Sequence, residues 1–256
     1  TGSCAHGLAG DLFRSRFDPF AHRIQKRVKE LGRDFVGRGW LATALLLELE
    51  KLGLDPHGCI QFVVIYGESG TGKSAFITRL LDSIFCQQQG GAWESLHQRV
   101  LARHVCRVQD TETLDPLKWA QSLAGQIFLA VSGADKMKDA LAIGGHPDRQ
   151  SFADWLEKQD SVRKILNEWV LPLLSSFKNA QDLRGLDTIV IDSLDEAATF
   201  AVTEGEDVKT ERGQRSTGRT IVHFLFEFRR RWPSWLRFIA TSRPDTETNN
   251  ELEPLR

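Results

Sequence analysis

The sequence is poor in methionine, tyrosine and cysteine, with one, one and four residues of these types among 256. The sole methionine is Met137, so the first residue is not a start codon, and we expect the chain to be a piece of a longer protein. The cysteines form no C-x-x-C pair and have no metal-ligand spacing, which predicts reduced thiols in a cytoplasmic protein. They are Cys4, Cys59, Cys86 and Cys106.

An excess of one charge and a long hydrophobic run are also missing. Lys and Arg number 33 and Asp and Glu 34, for a net charge of −1, so no general basic field attracts nucleic acid, and we expect no nucleic-acid partner. The most apolar stretch, residues 40–54, contains Glu48, Glu50 and Lys51, whereas a membrane span needs about 20 apolar residues. With 41% hydrophobic residues, the chain can instead bury a globular core.

The order of the elements predicts an α/β fold, because apolar strands alternate with amphipathic helices. Residues 60–66 are apolar on both faces, as in a central strand of a parallel sheet. Further strands are predicted at 100–108, 186–191 and 236–241, and helices at 20–32, 40–52, 73–85, 117–131, 152–177 (interrupted by Pro172) and 220–231. Residues 132–149 and 203–219 are polar and predict loops. We divide the chain into a leader and helix (1–34), a nucleotide-binding domain (35–245) and a tail (246–256).

A glycine-rich motif, G-x-x-x-x-G-K-S, follows the first strand and opens a helix. In that context the backbone N–H groups of the loop bind phosphate oxygens, while Lys73 reaches the β- and γ-phosphates and the hydroxyl of Ser74 binds Mg²⁺. The alternative is an ordinary glycine-rich turn, but the strand before it and the helix after it favour a phosphate-binding loop, or P-loop. The predicted nucleotide-binding residues are Gly67, Glu68, Ser69, Gly70, Thr71, Gly72, Lys73 and Ser74.

Three acidic residues follow the strand at 186–191. Asp192 would lie at the carboxyl edge of the sheet, where α/β proteins bind ligands, and in a P-loop protein such a residue holds Mg²⁺. Asp195 and Glu196 come next and are candidate catalytic residues that orient an attacking water. The alternative is that acids follow strands because turns are polar, and the spacing does not choose between Asp195 and Glu196.

The last predicted strand ends in hydroxyl residues and Arg243. An arginine there could reach the γ-phosphate and distinguish a triphosphate from a diphosphate, or it could be an exposed residue of a turn. Arg229, Arg230 and Arg231 could contact nucleic acid, but basic residues at a helix end also suit the helix dipole. No N-K-x-D sequence that would read guanine is present, which argues against a small GTPase.

Several segments resemble a known family, the STAND class of P-loop NTPases with a NACHT domain. Residues 35–41 resemble its hydrophobic-Gly-Arg motif, residues 189–197 resemble its acidic Walker B strand, and residues 103–126 are similar to NACHT domains joined to ankyrin, WD40 or TPR repeats. The resemblance implies a three-layer sandwich with a mostly parallel central sheet. It also implies Mg²⁺ and ATP or ADP as cofactors, Arg38 near the adenine or ribose, and Arg243 as a sensor of the γ-phosphate.

The family resemblance implies a nucleotide-dependent switch in signalling or innate antiviral defence. Such a switch binds ATP, hydrolyses it slowly and controls self-association of the full-length protein, with effector and repeat domains outside this chain. The alternative is a scaffold that binds nucleotide without turnover. The intact Lys73, Ser74, Asp192, Asp195 and Glu196 favour the ATPase.

Overall fold

The fold is built on a parallel sheet of four strands. The structure, a computed structural model, describes residues 20–31, 37–53, 61–131, 134–198 and 219–244. The strands are β1 (Phe62–Tyr66), β2 (Val100–Val105), β3 (Thr188–Asp192) and β4 (Arg237–Ser242). Their order in the sheet is β1-β4-β3-β2, and every neighbouring pair is parallel. All four carboxyl ends therefore lie at one edge, which we call the carboxyl edge.

Helices cover both faces of this sheet. The first face carries α1 (Ala21–Leu31), α2 (Gly39–Gly53), α3 (Lys73–Leu80), α4 (Ser83–Gln89) and α5 (Gly91–Gln98). The second carries α6 (Pro116–Ala130), α7 (Ala134–Ile143), α8 (Arg149–Glu157), α9 (Val162–Ile165), α10 (Leu171–Ser176), α11 (Leu194–Ala198) and α12 (Ile221–Glu227). The molecule is thus an α/β three-layer sandwich of the P-loop kind, as the sequence predicts.

Side chains that alternate along each strand enter two separate cores. Val190 and Ile239 join the core on the first face, whereas Ile189, Ile191 and Phe238 join the larger core on the second. This explains the continuous apolar runs in the sequence, because a strand covered on both faces has no polar side. Cys86 and Cys106 are buried free thiols, one in each core.

The observed helices differ from the predicted ones in several places. The helix predicted over 73–85 ends at Leu80, since the side chain of Asp82 accepts the N–H groups of Ile84 and Phe85 and starts α4. Residues 134–143 form α7 inside the predicted polar loop, where Met137, Ala140 and Leu141 are buried.

The sequence predicts an interruption of the helix at Pro172, but the structure is helical through this residue. The break lies earlier, at residues 158–161, and Ser161 caps the next helix through the N–H of Lys164. A π-helical segment, Leu166–Val170, then joins α9 to α10, and the N–H of Leu171 donates to the carbonyl of Leu166. Proline has no N–H to donate, and the wider turn before it lets the helix continue.

Some predicted segments lie outside the described residues. These are the leader before residue 20, most of the charged loop at 203–219 and the tail at 246–256. Within the described part of the chain, no helix is long and apolar enough to cross a membrane.

Candidate nucleotide site

The glycine-rich loop connects β1 to α3 in a conformation that depends on its glycines. Gly70 and Gly72 have φ angles of 80° and 82°, in the left-handed region that other residues avoid. A Cβ atom on Gly67 would lie 2.8 Å from Thr71 Oγ1, so the turn leaves no space for a side chain there. The hydroxyl of Thr71 also donates to the carbonyl of Glu68, at 2.8 Å, which closes the loop on itself.

Lys73 and Ser74, the first two residues of α3, point in different directions. The ammonium of Lys73 donates to the carbonyl oxygens of Gly67 and Glu68, so its charge lies inside the curve of the loop. The hydroxyl of Ser74 donates instead to Asp192 Oδ1, at 3.1 Å. The structure therefore joins the predicted loop to the predicted metal-binding acid.

Asp192 is the centre of a group that we call the Asp192 cluster, formed by Ser74, Asp192, Ser193 and Thr241. The Thr241 hydroxyl donates to Asp192 Oδ1 at 2.6 Å and accepts the Ser193 N–H at 2.8 Å. Ser193 has a φ of 58°, which turns the chain sharply after β3. Ends of β3 and β4 and the start of α3 thus meet at the carboxyl edge.

The two oxygens of Asp192 differ in their surroundings. Oδ1 accepts two hydroxyl groups, whereas Oδ2 is buried and has no hydrogen-bond partner among the described residues. The carboxyl is 1% exposed, and this burial raises its pKa above the usual 3.8. The hydrogen bond from Thr241, the charge of Arg27 and the hydrogen bond from Ser74 oppose that rise.

These residues fit a magnesium nucleotide. A buried carboxylate oxygen without a partner, beside a serine hydroxyl, offers the oxygen ligands that Mg²⁺ takes. The glycine loop lies against the same cluster at the N-terminal end of α3, an eight-residue helix with no acid in its first turn. A helix N-terminus of this kind favours an anion.

Asp195 and Glu196, the candidate catalytic acids, lie at the start of α11 and bind other parts of the protein. Asp195 is buried and accepts the Nε–H of Arg243 at 2.5 Å. Glu196 accepts the backbone N–H of Val108, beyond the end of β2, at 2.6 Å. Arg243 is therefore at the carboxyl edge, as predicted, and its side chain is about half exposed.

Arg38 lies over the glycine loop. Its guanidinium donates to the Thr71 carbonyl, and a Cβ atom on Gly72 would come within 3.2 Å of it. Arg38, for which the family resemblance implies a position near the adenine or ribose, thus contacts the glycine loop. In the structure this contact is to a backbone carbonyl. The arginines considered for nucleic acid lie elsewhere: Arg229 lies 3.8 Å from the ring centre of Phe226, after α12.

Two residues at the site are missing from the sequence prediction. Thr241 belongs to the hydroxyl-rich end of the last predicted strand. Its hydrogen bond to Asp192 could not be predicted, because it depends on β4 lying next to β3. Arg27 approaches Asp192 from α1, with 3.7 Å between its terminal nitrogen and Oδ2. In the sequence, the only indication of this role for Arg27 is its spacing from Phe20 and Ile24, which places the three residues on one face of the helix.

Together the sheet, the glycine loop and the acid at the carboxyl edge define an α/β sandwich of the P-loop class. Within that class, residues 53–243 match the family described as nephrocystin 3, N-terminal, and the chain belongs to this family. No curated protein matches the sequence, and no solved structure matches it.

Proposed function

We propose that this chain is an ATP-binding switch domain of the STAND kind, which binds Mg²⁺ and ATP or ADP. The observation that carries the proposal is the hydrogen bond from Ser74 to Asp192. It joins a phosphate-binding loop to a buried acid across 118 residues of sequence, as a shared magnesium site requires. Resemblance of residues 35–41 and 189–197 to STAND proteins favours ATP.

In this proposal each group has a separate role. The N–H groups of the glycine loop bind the phosphates, and Lys73 leaves its carbonyl partners to neutralise the β- and γ-phosphates. Ser74 and Asp192 hold the metal ion, and Mg²⁺ supplies charge neutralisation of the phosphate oxygens. The resemblance puts Arg38 near the base or ribose, and a contact between Arg38 and the glycine loop, at the Thr71 carbonyl, supports this role.

The proposed ATPase activity is slow. Asp195 and Glu196 must orient a water for hydrolysis, but their carboxylates bind Arg243 and the Val108 N–H. A residue engaged in this way has to change partners before it can act on water, which raises the barrier. The same contacts favour the second candidate function, a scaffold that binds nucleotide without turnover.

In the full-length protein, the proposed switch controls self-association. We propose a role in signalling or antiviral defence, in the cytoplasm, with effector and repeat domains that lie outside this chain. The support is the resemblance to STAND proteins, whose members couple nucleotide state to assembly.

The decisive experiment is calorimetry of Mg-ATP with Lys73→Ala. Loss of a charged hydrogen-bond donor to phosphate costs about 1.5–3 kcal/mol, so we expect affinity to fall by about 10- to 150-fold. Lys164→Ala is the matched control, because Lys164 is an exposed lysine of α9, away from the glycine loop in the sequence and in the opposite layer. Unchanged affinity in Lys73→Ala, or an equal loss in both variants, would contradict the proposed phosphate site.

A further inference from the structure

Helix α1 lies across the carboxyl edge and is held at two points. Ile24 is buried in the core on the first face of the sheet, where α1 contacts the P-loop helix α3. The residue before Ile24, Arg23, donates to Asp110 at 2.5 Å and to Glu112 at 2.6 Å, both in the segment after β2. The position of α1 is therefore fixed without any contribution from Arg27.

Arg27 makes a much looser contact than Arg23. Its guanidinium lies 3.7 Å from Asp192 Oδ2, outside hydrogen-bond distance, although its side chain is only 17% exposed. The Nε of Arg27 and the Oδ2 of Asp192 are both buried, and neither has a hydrogen-bond partner in the described ranges. A paired arginine and carboxylate usually approach within 2.7–2.9 Å.

Two buried groups that lack hydrogen bonds are costly, and each can be satisfied by a different ligand. A buried donor or acceptor without a partner costs about 1–3 kcal/mol. The free oxygen of Asp192 suits a metal ion, and the free N–H of Arg27 suits an anion such as phosphate. A magnesium nucleotide supplies both the metal ion and the phosphate anion. The metal ion and the guanidinium are both positively charged and repel each other, so they compete for Asp192.

We propose that Arg27 is a residue of the nucleotide site that changes partner on binding. Without nucleotide, Arg27 neutralises Asp192 and competes with divalent metal for it. When nucleotide binds, the guanidinium turns to a phosphate oxygen on the side of the site facing α1, and this leaves Asp192 free for the metal. This inference rests on the proposed function, because it requires that phosphate and metal bind at the Asp192 cluster.

The test is Arg27→Gln, measured with two probes that respond in opposite directions. With Mn²⁺ alone, followed by the electron paramagnetic resonance of the free ion, the variant should bind about tenfold tighter, because a competing unit charge is gone. With ATP in EDTA, followed by calorimetry, it should bind about tenfold weaker, because a phosphate partner is gone. A variant that is merely less well folded would weaken both.

Arg23→Gln is the matched control, since Arg23 has its ion pairs on the same helix but not with Asp192. Because buried Ile24 still anchors α1 and partly exposed ion pairs such as those of Arg23 contribute little, we expect this variant to bind Mn²⁺ and ATP as the wild type does. Wild-type ATP affinity in Arg27→Gln, or weaker Mn²⁺ binding, would overturn the inference while leaving the proposed function intact. A wild-type chain that binds no ATP, with or without Mg²⁺, would overturn the proposed function itself, and this inference with it.

A second comparison covers the case in which Arg27→Gln does not fold because Asp192 is left unpaired. The comparison is between Asp192→Asn and the double variant Arg27→Gln/Asp192→Asn, both in EDTA. Neither variant has the Asp192 carboxylate, so the loss of Arg27 leaves no buried charge unpaired. The double variant should bind ATP about tenfold weaker than Asp192→Asn. Equal affinities would overturn the role of Arg27 as a phosphate partner.

Discussion

At the scale of single residues, the Asp192 cluster is organised by Thr241. Its hydroxyl uses its proton for Asp192 and its lone pair for the Ser193 N–H, so one side chain fixes both the acid and the turn that follows it. Thr241 is fully buried, and water cannot replace these bonds. A side chain of the same shape without the hydroxyl would therefore leave the Ser193 N–H without its acceptor and remove one of the two donors to Asp192 Oδ1.

This gives a prediction for Thr241→Val. We expect the free energy of unfolding to fall by about 1–3 kcal/mol, as measured by urea denaturation, because the Ser193 N–H and Asp192 Oδ1 each lose a partner. Thr241→Ser keeps the hydroxyl and is the control, with a smaller loss from the missing methyl group. If valine and serine destabilise the protein equally, the hydroxyl does not hold the cluster.

Residues of the site differ in how well the sequence reveals them. The glycine loop through Ser74 is contiguous, and its chemistry can be inferred from its spacing together with the strand before it and the helix after it. Asp192 can be inferred because it ends an apolar strand. Thr241 and Arg27 could not be assigned, because their contacts depend on the strand order and on where α1 lies across the edge.

At the scale of elements, His104 connects β2 to the turn after it. Its ring is buried in β2, and Nε2 donates to the carbonyl of Thr113, at 2.7 Å, in a 3₁₀ turn spanning Thr111–Thr113. Burial lowers the pKa of His104 from 6.5 to about 4, and the Thr113 hydrogen bond only partly opposes this. The imidazole is therefore neutral in the folded protein at neutral pH.

This predicts a specific loss of stability in acid. The unfolded chain binds a proton at His104 below about pH 6.5, but the folded chain resists protonation until about pH 4. The contribution of neutral His104 to the free energy of unfolding is therefore fully present above pH 6.5 and is lost as the pH falls through 4. A difference of that size corresponds to roughly 3 kcal/mol. Denaturation of wild type and His104→Gln across this range checks it, since only wild type carries this titration. Parallel stability curves would contradict it.

The elements themselves could be predicted where local signals are strong. Residues 117–131 are predicted as a helix and form most of α6, whose start is capped by the Asp115 side chain, with Pro116 in the first turn. Helix α7 could not be predicted, because the segment around it is rich in glycine and charge, and its burial comes from tertiary contacts. Asp82 shows the reverse case, in which a capping residue within an apparently continuous helix splits it.

At the scale of the whole molecule, the proposed site opens at the carboxyl edge, between helical layers. In such an open site, water reaches the bound nucleotide, and the candidate catalytic residues are not held against it. The contacts of Asp195 and Glu196 act in the same direction.

We therefore predict that this chain alone hydrolyses ATP far below the roughly 1–100 s⁻¹ of kinases and remains mainly monomeric with Mg-ATP. A phosphate-release assay and light scattering, each with and without Mg-ATP, measure the two properties. Lys73→Ala provides the background rate for release. Fast turnover, or ring assembly by this chain, would contradict this prediction.

The strand order also has a consequence for how the protein is made. Among the strands that the structure describes, β1 pairs with β4 alone, and Gln61, just before β1, donates to the carbonyl of Trp232, 171 residues further along. A ribosome needs roughly 10–30 s to add that many residues. During that time the apolar β1 and the glycine loop are already part of the nascent chain, but β4, with which β1 pairs, has not yet been synthesised. Chaperones that shield β1 during synthesis would act in this interval, and the site is assembled only when β4 is inserted.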